Sequence, residues 1–563
     1  MINTEIAGII FMFLTTVLIA IPLGKYMAKV YAGEETFLDK LFSPLEHLIF
    51  KITGIDAQSE MNWKEHMKAL LTINMLWFLL VRLVLMCQGF LPLNPDGNPN
   101  MSPDLAFNTA ISFVVNCNLQ HYSGETGVSY LSQMFLMFLQ FVSAAVGIAS
   151  AVILFKAFRE KSTVYLGNFY DYFVKTCTRV LLPISLLLGS LLLFEGVPMT
   201  FEGKGQMISL EGDTVEVSRG PAAAFVAIKH LGTNGGGFFG TNSAHPLENP
   251  TYLSNMLEMI AQMLIPIAMI FAFGYFIQRR KLAWMIFSVM TIGFLALAIP
   301  NILMESAGSP TIAKMGVNQE LGAMEGKEIR IGAAASGYWS IATTVISTGS
   351  VNAMHDSSMP LSGMNQLLAM MINAFYGGCG VGMLNFFIFI ILAVFISGLM
   401  VGRTPEFLGK KVEAREMKIA MLVALIHPFL ILTGTALAAA FPNYGAATTN
   451  DPGFHGFSEL LYEYTSASAN NGSGFEGLGD NTAWWNISTG IVLLFGRFIP
   501  IIGPIAIAGI MAGKRYIPAG AGTLRTDNAT FGMMVMAVIL IIAALSFFPA
   551  LTLGPVAEYF SIK

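Results

Sequence analysis

Ten apolar stretches, each close to the roughly 20 residues that cross a bilayer as a helix, recur along this chain of 563 residues. Charged residues make up about 25% of an average soluble domain, but only 12% of this chain, and hydrophobic residues make up 54%. This balance excludes an ordinary soluble enzyme and a disordered chain, and a net charge of -4 excludes a basic nucleic-acid binder. We therefore expect an all-α polytopic membrane protein with spans near residues 6–28, 69–92, 129–155, 173–195, 252–278, 283–303, 379–402, 418–441, 487–512 and 531–555.

The basic residues are distributed unevenly between the loops. Most of the 31 lysines and arginines follow the first, third, fifth, seventh and ninth spans. Because cytoplasmic loops carry the excess of basic residues, we predict these loops to be cytoplasmic and both termini to lie outside. The first basic residue, Lys25, comes after the first apolar stretch, which predicts a retained helix rather than a cleaved signal.

The external segments have an unusual composition. Residues 93–128 and 442–486 contain no lysine or arginine, and they are too apolar for solvated loops yet too interrupted for full spans. Irregular backbone at membrane depth is tolerated only where it is buried in protein or lines a watery cavity. Short helical runs that end in a polar, glycine- and asparagine-rich stretch indicate re-entrant half-helices at Asp104–Val115, Pro221–Leu231, Gly337–Ile346 and Phe457–Tyr464.

The polar stretches recur at a near-constant interval. With Asn116, Gly235, Gly349 and Asn470 as markers, the intervals are 119, 114 and 121 positions. A constant period indicates an internal repeat, here a unit of span, half-helix, loop and span that occurs four times around one pore. The predicted units are an extra N-terminal helix with a cytoplasmic linker, four pore repeats and an extra C-terminal helix, at 1–68, 69–160, 161–281, 282–411, 412–515 and 516–563.

The repeated unit is suited to binding a monovalent cation. Four half-helices that enter from outside bring their C-terminal ends, which carry partial negative charge, to a common axis. The loops that follow offer carbonyl and hydroxyl oxygens that can replace an ion's hydration shell, and Gly235 and Gly349 permit unusual dihedrals that aim carbonyls inward. A divalent ion would more often demand a ring of carboxylates, so potassium or sodium is indicated, with a weak preference for potassium.

Two other interpretations of Gly232–Gly237 stay open at this point. The segment could cradle a phosphate, although it lacks the lysine and the serine or threonine of the GxxxxGK[ST] motif. It could also be a flexible surface linker. Four equivalent positions in the repeat disfavour both interpretations.

Several long motifs resemble one known family, the potassium-binding A subunits of the bacterial Kdp potassium-transporting ATPase, within the potassium-transporter superfamily. The resemblance covers nearly the whole chain. It rests on the motifs that start at Asn116 (NCNLQHYSGE), Leu231 (LGTNGGGFF), Asn242 (NSAHPLENP), Val351 (VNAMHD), Val401 (VGRTPEFLGKK) and Asn470 (NNGS).

The resemblance implies a non-catalytic transport subunit in the bacterial cell (inner) membrane. Such a subunit would capture external potassium and pass it through an intramembrane tunnel to a P-type ATPase B subunit, with small C and F subunits completing the complex. This chain has neither a P-loop nor the DKTG phosphorylation motif, so ATP hydrolysis must come from a partner. Potassium is the expected ion, and no organic cofactor is expected. A stand-alone potassium channel or symporter of the same superfamily is the alternative.

The resemblance also assigns residues to the filter. The family's filter positions correspond here to Asn116, Thr233, Gly235, Ser347, Thr348, Asn470 and Gly472. The residues expected to support the filter are Cys117, Asn118, Gln120, Asn234, Gly349, Thr465, Ser466 and Asn471. Val115 and Cys117 stand where the family often has threonine, and Thr348 where cysteine is common, so we expect the first loop to rely on backbone carbonyls.

A second group of candidates belongs to the seventh span and its surroundings. Gly377, Gly378, Gly380 and Gly382 predict a break below the filter that forms a gate or tunnel wall, with close helix packing as the alternative. An arginine inside a span is costly and is a functional candidate by default. Arg497 could repel cations from the cytoplasmic exit, the alternatives being a salt bridge or a snorkelling side chain. For Arg82 we expect a structural or subunit contact.

The remaining polar candidates lie in the external loops. Gln120 is expected to prop the first loop, with a solvated amide as the alternative. His245 and His355 belong to no ligand cluster in the sequence and are expected to be structural. Glu125 and Asp356 could raise local potassium or could be solvated loop carboxylates.

Overall fold

The computed structural model describes residues 2–518, 520 and 523–562, except for the side chains of Ile2, Asn3 and Val401. Lys563, one of the basic residues counted in the sequence, lies outside the described residues. Helices dominate the described chain, and strands are confined to two short hairpins. The helices are α1 (Ile2–Ala32), α2 (Asp39–Thr53), α3 (Trp63–Cys87), α4 (Pro103–Val114), α5 (Gly124–Gly127), α6 (Tyr130–Arg159), α7 (Phe169–Lys175), α8 (Leu182–Phe194), α9 (Ala222–Leu231), α10 (Tyr252–Phe276), α11 (Arg280–Ala307), α12 (Pro310–Lys314), α13 (Ala333–Ile346), α14 (Pro360–Ile372), α15 (Val381–Val401), α16 (Ala414–Ala440), α17 (Phe454–Ala469), α18 (Ala483–Ala512), α19 (Ala529–Leu551) and α20 (Ala557–Ser561). The strands are β1 (Gly205–Ile208), β2 (Thr214–Val217), β3 (Glu406–Phe407) and β4 (Lys410–Lys411), and each successive pair is antiparallel.

Among the described residues, 10 helical segments are long and apolar enough to cross a membrane. Each contains or overlaps one of the ten predicted spans, so the prediction of a polytopic all-α membrane protein is confirmed. The fourth and tenth segments contain π-helical turns, Thr176–Leu181 and Thr552–Val556. Pro183 and Pro555 lie beside or within these turns, and a proline removes a backbone donor from the regular helical ladder.

The four half-helices are present as α4, α9, α13 and α17. The last two are longer than predicted. α13 begins at Ala333 rather than Gly337, and α17 runs from Phe454 to Ala469 rather than ending at Tyr464. The stretch after Tyr464 is polar but helical. The Thr465 hydroxyl donates a hydrogen bond of 2.6 Å to the Leu461 carbonyl one turn earlier, so this polar side chain finds its partner within the helix.

The third repeat contains a helix that the apolar pattern does not predict. α14 lies between the loop that follows α13 and the spanning helix α15. Its length of 13 residues is well below a span, and its buried face carries Asn365 and Gln366. The chain therefore returns through the membrane region in two pieces, α14 and α15, joined by residues 373–380.

Two spanning helices lie outside the four units. α1 packs along α10, and the contact is close enough that a methyl group on Gly24 would lie 2.5 Å from the Ala268 carbonyl oxygen. α19 packs against α11, α14 and α15. α6 and α10 are buried over most of their length, whereas α1 and α3 are largely exposed. The two most buried spans of the described chain therefore contact half-helices: α6 packs on α4 and α9, and α10 packs on α9 and α13.

Candidate ion-binding site

The four half-helices end in the same backbone motif. The first residue past each turn is in the left-handed region: Asn116 (φ 64°), Thr233 (φ 51°), Ser347 (φ 57°) and Asn470 (φ 53°). The next amide in each loop donates to the carbonyl five residues earlier, at 3.0 Å for Cys117, 2.8 Å for Asn234, 2.9 Å for Thr348 and 2.9 Å for Asn471. This is the Schellman ending of a helix, and its fourfold recurrence sets the register of the four loops.

The register differs from the one that the sequence markers suggest. The four left-handed residues after the helices are equivalent to one another: Asn116, Thr233, Ser347 and Asn470. Two positions further on, the equivalent residues are Asn118, Gly235, Gly349 and Gly472. The intervals between equivalent residues are 117, 114 and 123 positions. The sequence markers combined residues from two different positions of the loop. Asparagine and glycine are the residues expected in a left-handed conformation, whereas the β-branched Thr233 adopts it only under strain and was therefore not chosen as a marker.

The four loops converge at their glycines. The Gly235 amide donates 2.9 Å to the Cys117 carbonyl. A methyl group on Gly235 would lie 2.5 Å from that oxygen and 2.9 Å from the Asn471 carbonyl oxygen. A methyl group on Gly349 would clash with the same Asn471 oxygen and lie 2.8 Å from the Gly235 Cα. The carbonyl oxygens of Cys117 in the first loop and Asn471 in the fourth loop therefore lie among Gly235, Gly349 and Gly472 of the second, third and fourth loops.

Glycine is required at these positions for two different reasons. Gly349 (φ 84°) and Gly472 (φ 105°) adopt dihedrals that favour glycine. Gly235 does not, and in this respect the expectation that it supplies an unusual dihedral is wrong. It must be glycine because the backbones of the first and fourth loops come too close for any Cβ.

Side chains hold neighbouring loops together. The Asn116 amide donates 3.0 Å to the carbonyls of both Gly232 and Thr233, and its oxygen accepts from Ser143 at 2.8 Å. Gln120 donates 3.1 Å to the Gly237 carbonyl and accepts 3.0 Å from the Gly237 amide. In the structure Gln120 therefore links the first and second loops through both atoms of its amide.

The other filter and support candidates have backbone or interloop partners. Asn234 donates to Gln140, Ser347 to the Ala469 carbonyl, Asn470 to Leu493 and Asn471 to the Thr343 carbonyl, and Ser466 accepts from the Gly472 amide. Thr465 bonds within α17 and points to no loop. Within the described chain, the Thr348 hydroxyl and the Asn118 amide are buried without a protein partner. Val115 and Cys117 pack in an apolar cluster, so the first loop presents the Cys117 carbonyl rather than a side-chain oxygen.

The predicted break in the seventh span lies directly below the second loop. The Cys379 amide donates 3.0 Å to the Thr233 hydroxyl, and the Cys379 thiol contacts the Leu231 carbonyl at 3.3 Å. Gly377 (φ 60°) and Gly380 (φ 78°) are left-handed, and Gly380 lies against the Gly147 backbone. Gly378 faces the Thr233 hydroxyl, and Gly382 lies against the Tyr376 carbonyl.

Arg497 lies on the other side of this break. It is buried in α18 at 5% exposure, and Nη2 donates 3.4 Å to the Ser143 carbonyl. A methyl group on Gly147 would lie 3.3 Å from Nη2 and against the Cys379 carbonyl. No carboxylate of the described residues lies within 4.0 Å of the guanidinium. Arg497 is thus neither salt-bridged nor snorkelling. Arg82 stacks over the Phe107 ring at 5.9 Å.

Cavities lie on both sides of the loops. A vestibule of about 760 Å³ is lined by residues of all four repeats, among them Gln120, Gly349, Gly472 and Asp480. On the far side, a cavity of about 60 Å³ lies between α14, α15, α16, α18 and α19. Asn373 and Ser468 line it, and Asn373 also contacts the Ser347 hydroxyl at 3.1 Å.

Sequence reasoning missed a cluster of buried charges behind the vestibule. His121 Nε2 lies 3.1 Å from Glu463 Oε1 and Nδ1 lies 2.7 Å from Asn486 Oδ1, and both of these oxygens are acceptors. Asp480 completes the group. Burial lowers the pKa of His121, but the carboxylates of Asp480 and Glu463 outweigh that effect and raise it to about 9. The signal available was an external segment free of lysine and arginine in which acidic residues still occur.

The other external candidates are engaged in the fold. Asp356 is buried and contacts His455 at 3.0 Å, so it is not a solvated carboxylate. Glu125 accepts 2.7 Å from the Gly240 amide. The His245 ring stacks on Phe239 with centroids 3.8 Å apart, and His355 contacts the Tyr462 hydroxyl at 2.9 Å. Asp356 and His455, with Asp451 and Glu459, form a second group of polar side chains that the sequence did not predict.

Known proteins resemble this chain over nearly its whole length. Residues 10–560 match the family model described as "KdpA: Potassium-transporting ATPase A subunit". Proteins named "Potassium-transporting ATPase potassium-binding subunit" from Flavobacterium johnsoniae and Bacteroides thetaiotaomicron are 67% and 56% identical over 100% of both chains. The protein of that name from Geobacillus kaustophilus is 47% identical over 98% of both chains. The crystal structure of the potassium transporter TrkH from Vibrio parahaemolyticus superposes with a TM-score of 0.52 at 13% identity, over 88% of this chain and 96% of that one, and this likeness is one of fold.

Proposed function

The chain belongs to the family of potassium-transporting ATPase A subunits, and from this premise we propose that its four converging loops are the potassium filter. Membership makes it the potassium-binding subunit of such an ATPase, with potassium as the transported ion. The filter residues are Asn116, Thr233, Gly235, Ser347, Thr348, Asn470 and Gly472. The observation that carries the proposal is the convergence of the Cys117 and Asn471 carbonyls with Gly235, Gly349 and Gly472.

Elementary electrostatics supports a dehydrated monovalent cation at this point. Four helix C-termini end here, and each contributes partial negative charge. Backbone carbonyls can take the place of the water that a potassium ion loses. No carboxylate belongs to the converging loop residues, which fits a monovalent ion better than a divalent one. The residues that hold the loops in place are Gln120, Cys117, Asn234, Gly349, Ser466 and Asn471. Asn118 contributes only through its backbone amide, which donates to the Ser112 carbonyl, and Thr465 only through α17.

Arg497 and the break between α14 and α15 are proposed to close the straight path through the pore. The segment at residues 377–382 lies next to the second loop, because the Cys379 amide donates to the Thr233 hydroxyl. The buried guanidinium of Arg497 lies next to them, with no carboxylate to neutralise it. A fixed positive charge in a low-dielectric region repels cations strongly. The ion would therefore leave the filter sideways.

The small cavity below the filter supports such a lateral route. Asn373 and Ser468, which are close to the third and fourth loops, line it together with residues of α15, α16, α18 and α19. We propose that this is the beginning of an intramembrane tunnel to the ATPase subunit. The complex would contain a P-type B subunit that hydrolyses ATP and small C and F subunits. The vestibule would face the outside of the bacterial cell membrane, together with both termini.

The repeat organisation proposed for this function keeps the boundaries predicted from the sequence. The four pore repeats occupy 69–160, 161–281, 282–411 and 412–515, with extra helices in 1–68 and 516–563. The fourfold recurrence of the Schellman ending supports this division. Packing of α1 on α10, and of α19 on α11 and α15, supports the assignment of the two outer helices as additions to the pore units.

A stand-alone channel or symporter is the second candidate, because the fold is shared with the potassium transporter TrkH. One experiment separates the two. The chain is purified from its native membrane, its stoichiometric partners are identified, and potassium-stimulated ATP hydrolysis and rubidium flux are measured. The proposal expects an ATPase subunit to copurify and hydrolysis to depend on potassium. Sustained rubidium flux through the chain alone, without ATP, would show a channel instead.

A further inference from the structure

Four spanning helices end around one pocket on the side opposite the vestibule. α6 ends at Arg159, α10 ends at Phe276, α11 begins at Arg280 and α19 begins at Ala529. The hairpin of β3 and β4 and the segment near Tyr516 form the remaining walls, because the Ile517 amide donates 2.8 Å to the Gly409 carbonyl. The pocket encloses about 890 Å³, and an adjoining depression of about 390 Å³ shares Arg279 and Tyr516 with it.

Cations outnumber carboxylates in this pocket. The basic residues that line the pocket or the depression are Arg159, Lys161, Arg279, Arg280, Lys281 and Arg525. The carboxylates are Glu160, Glu406 and Asp527, and two of them face cations, Glu160 with Lys156 at 3.3 Å and Asp527 with Arg525 at 3.6 Å. Arg279, Arg280 and Lys281 are exposed, and no carboxylate of the described residues lies within 4.0 Å of them. The unbalanced positive charge is therefore concentrated at 279–281.

The geometry of these cations suits a phosphate group. The Arg280 guanidinium stacks over Tyr275 at 5.0 Å, and that of Arg159 over Phe276 at 4.9 Å. Stacking on an aromatic ring restrains a guanidinium, whose planar donors match phosphate oxygens in pairs. The same place is the N-terminus of the 28-residue helix α11, whose partial positive charge also favours an anion. Restrained arginines, an unpaired lysine and a helix N-terminus thus line one concave volume.

The apolar surroundings favour a lipid as the source of the phosphate. Trp284, one turn into α11, is 48% exposed, and tryptophan is enriched at membrane–water interfaces. Further along the exposed faces of α11 and α19 lie Ile292 and Met533, at 63% and 66% exposure. Basic pockets between membrane helices bind anionic headgroups. We propose that this pocket, centred on Arg279, Arg280 and Lys281, binds the phosphate of an anionic membrane lipid whose acyl chains lie on α11 and α19.

The test is a lipid titration of the full chain in detergent, with bound lipid counted by native mass spectrometry. Phosphatidylglycerol is the anionic probe, phosphatidylcholine the zwitterionic one, and inorganic phosphate the competitor. A cation near a membrane surface strengthens anionic-lipid binding by roughly fivefold. The triple variant R279Q/R280Q/K281Q is therefore expected to bind phosphatidylglycerol on the order of 100-fold more weakly, with phosphatidylcholine binding unchanged.

Two further variants make the result specific. R279K/R280K keeps the charge but loses the paired guanidinium donors, so it is expected to bind more weakly than the unmodified chain and more tightly than the triple variant. K40Q/K51Q/K418Q removes three exposed lysines elsewhere on the same side and is expected to have no effect. Equal phosphatidylglycerol binding by the two triple variants would overturn the proposal. Displacement of the lipid by millimolar phosphate would assign the pocket to free phosphate, and loss of a copurifying subunit with lipid binding intact would make it a protein contact. Either of these results would also overturn the lipid assignment.

Discussion

Gln120 joins two filter loops through both atoms of its amide. Its nitrogen donates to the Gly237 carbonyl and its oxygen accepts from the Gly237 amide. A hydrogen bond of this kind contributes about 1 kcal/mol, and an unpaired backbone group left behind costs more. The brace therefore acts on the geometry of the filter rather than on the fold, since the rest of the second loop is held by Gln140 and Asn116.

Truncation of this brace should loosen the filter. We expect Gln120→Ala to weaken potassium binding by about tenfold, the equivalent of roughly 1.4 kcal/mol, with assembly of the complex unchanged. The measurement is potassium titration of ATP hydrolysis by the purified complex. Gln58→Ala, at an exposed glutamine on the other side of the membrane region, is the control and should have no effect. Unchanged affinity in Gln120→Ala would refute the bracing function.

Arg497 is proposed to act through its uncompensated charge. Replacement by glutamine keeps a polar side chain of similar reach but removes the barrier to cations beneath the filter. We expect Arg497→Gln to raise ATP-independent rubidium flux in proteoliposomes by at least about tenfold. Arg82→Gln is the matched control, because Arg82 also lies within a span but stacks on Phe107 away from the break. Equal flux in the two variants would mean that Arg497 is only structural.

The positions of the four loops could be predicted from the sequence, but which residues of the loops are equivalent to one another could not. Motifs rich in asparagine and glycine marked all four loops, yet Thr233 and Ser347 hold left-handed positions that their side chains disfavour. That strain is imposed by the surrounding fold: Thr233 accepts the Cys379 amide, and Ser347 donates to the Ala469 carbonyl. Such tertiary partners cannot be predicted from the local sequence.

Among the elements, the connection between α14 and α15 is the most distinctive. Only glycine fits at two of its positions and at one in the first turn of α15: Gly377 lies against Gly382, Gly380 against Gly147, and Gly382 against Tyr376. A simple packing explanation would need one small residue facing a neighbouring helix. Here the glycines form an irregular segment under the filter, which agrees better with the proposed gate.

A methyl group at Gly380 should displace this segment. Gly380→Ala combines a left-handed φ of 78° with a clash against the Gly147 carbonyl. We expect potassium-stimulated ATP hydrolysis to fall at least about tenfold, while potassium binding at the filter changes little. Gly402→Ala isolates the backbone strain, because Gly402 has a similar φ of 69° and no neighbouring atom within 4 Å of its Cβ position. If the two variants are equally impaired, strain alone explains the loss and the gate assignment fails.

Spans and broken elements differ in how far the sequence predicts them. The ten spans follow from apolar length alone, because a bilayer demands about 20 apolar residues. α14 was not predicted because it is short and partly polar. It is buried by residues that are distant in sequence, such as Phe475, which packs on Gly363. The end of α17 was placed too early because polar Thr465 and Ser466 resemble loop residues but bond within or onto the helix end.

At the scale of the whole molecule, the carboxylates of Glu476 and Asp480 line the vestibule above the converging loops. The Glu476 side chain is exposed to the vestibule, but the protein packed around it raises its pKa to about 8. Burial raises the pKa of the half-buried Asp480 to about 6, although His121 lowers it. A carboxyl group is neutral below its pKa and negative above it. The vestibule therefore gains negative charge between about pH 5.5 and pH 8.5, which raises the local concentration of cations.

Potassium capture should therefore strengthen as the external pH rises. We expect the half-saturating potassium concentration of the complex to fall severalfold between about pH 5.5 and pH 8.5. Glu476→Gln should remove the upper part of this dependence and leave the part due to Asp480. Glu211→Gln, at the exposed tip between β1 and β2, should keep the full dependence. A pH profile in Glu476→Gln identical to that of the unmodified complex would contradict the electrostatic account of the vestibule.

The assembly of one pore from four loops could be predicted in outline only. The period of the repeat indicated four equivalent loops, but the contact between the Cys117 carbonyl and Gly235, and between the Asn471 carbonyl and Gly349, joins residues more than 110 positions apart. The charged cluster of His121, Glu463 and Asp480 is likewise formed from separate segments. Such clusters depend on the closure of the fourfold ring and have no local signature.

The central claim is that potassium binds where the four loops converge. The direct test is calorimetric potassium titration of the purified, ATP-free complex that carries Gly235→Ala, compared with Gly474→Ala. A methyl group at Gly235 would lie 2.5 Å from the Cys117 oxygen, whereas at Gly474 the nearest neighbour would be 3.9 Å away. The account predicts that Gly235→Ala weakens potassium binding by at least about 30-fold, the equivalent of roughly 2 kcal/mol, in a fully assembled complex, with Gly474→Ala unchanged. Equal potassium affinity in the two variants would contradict it.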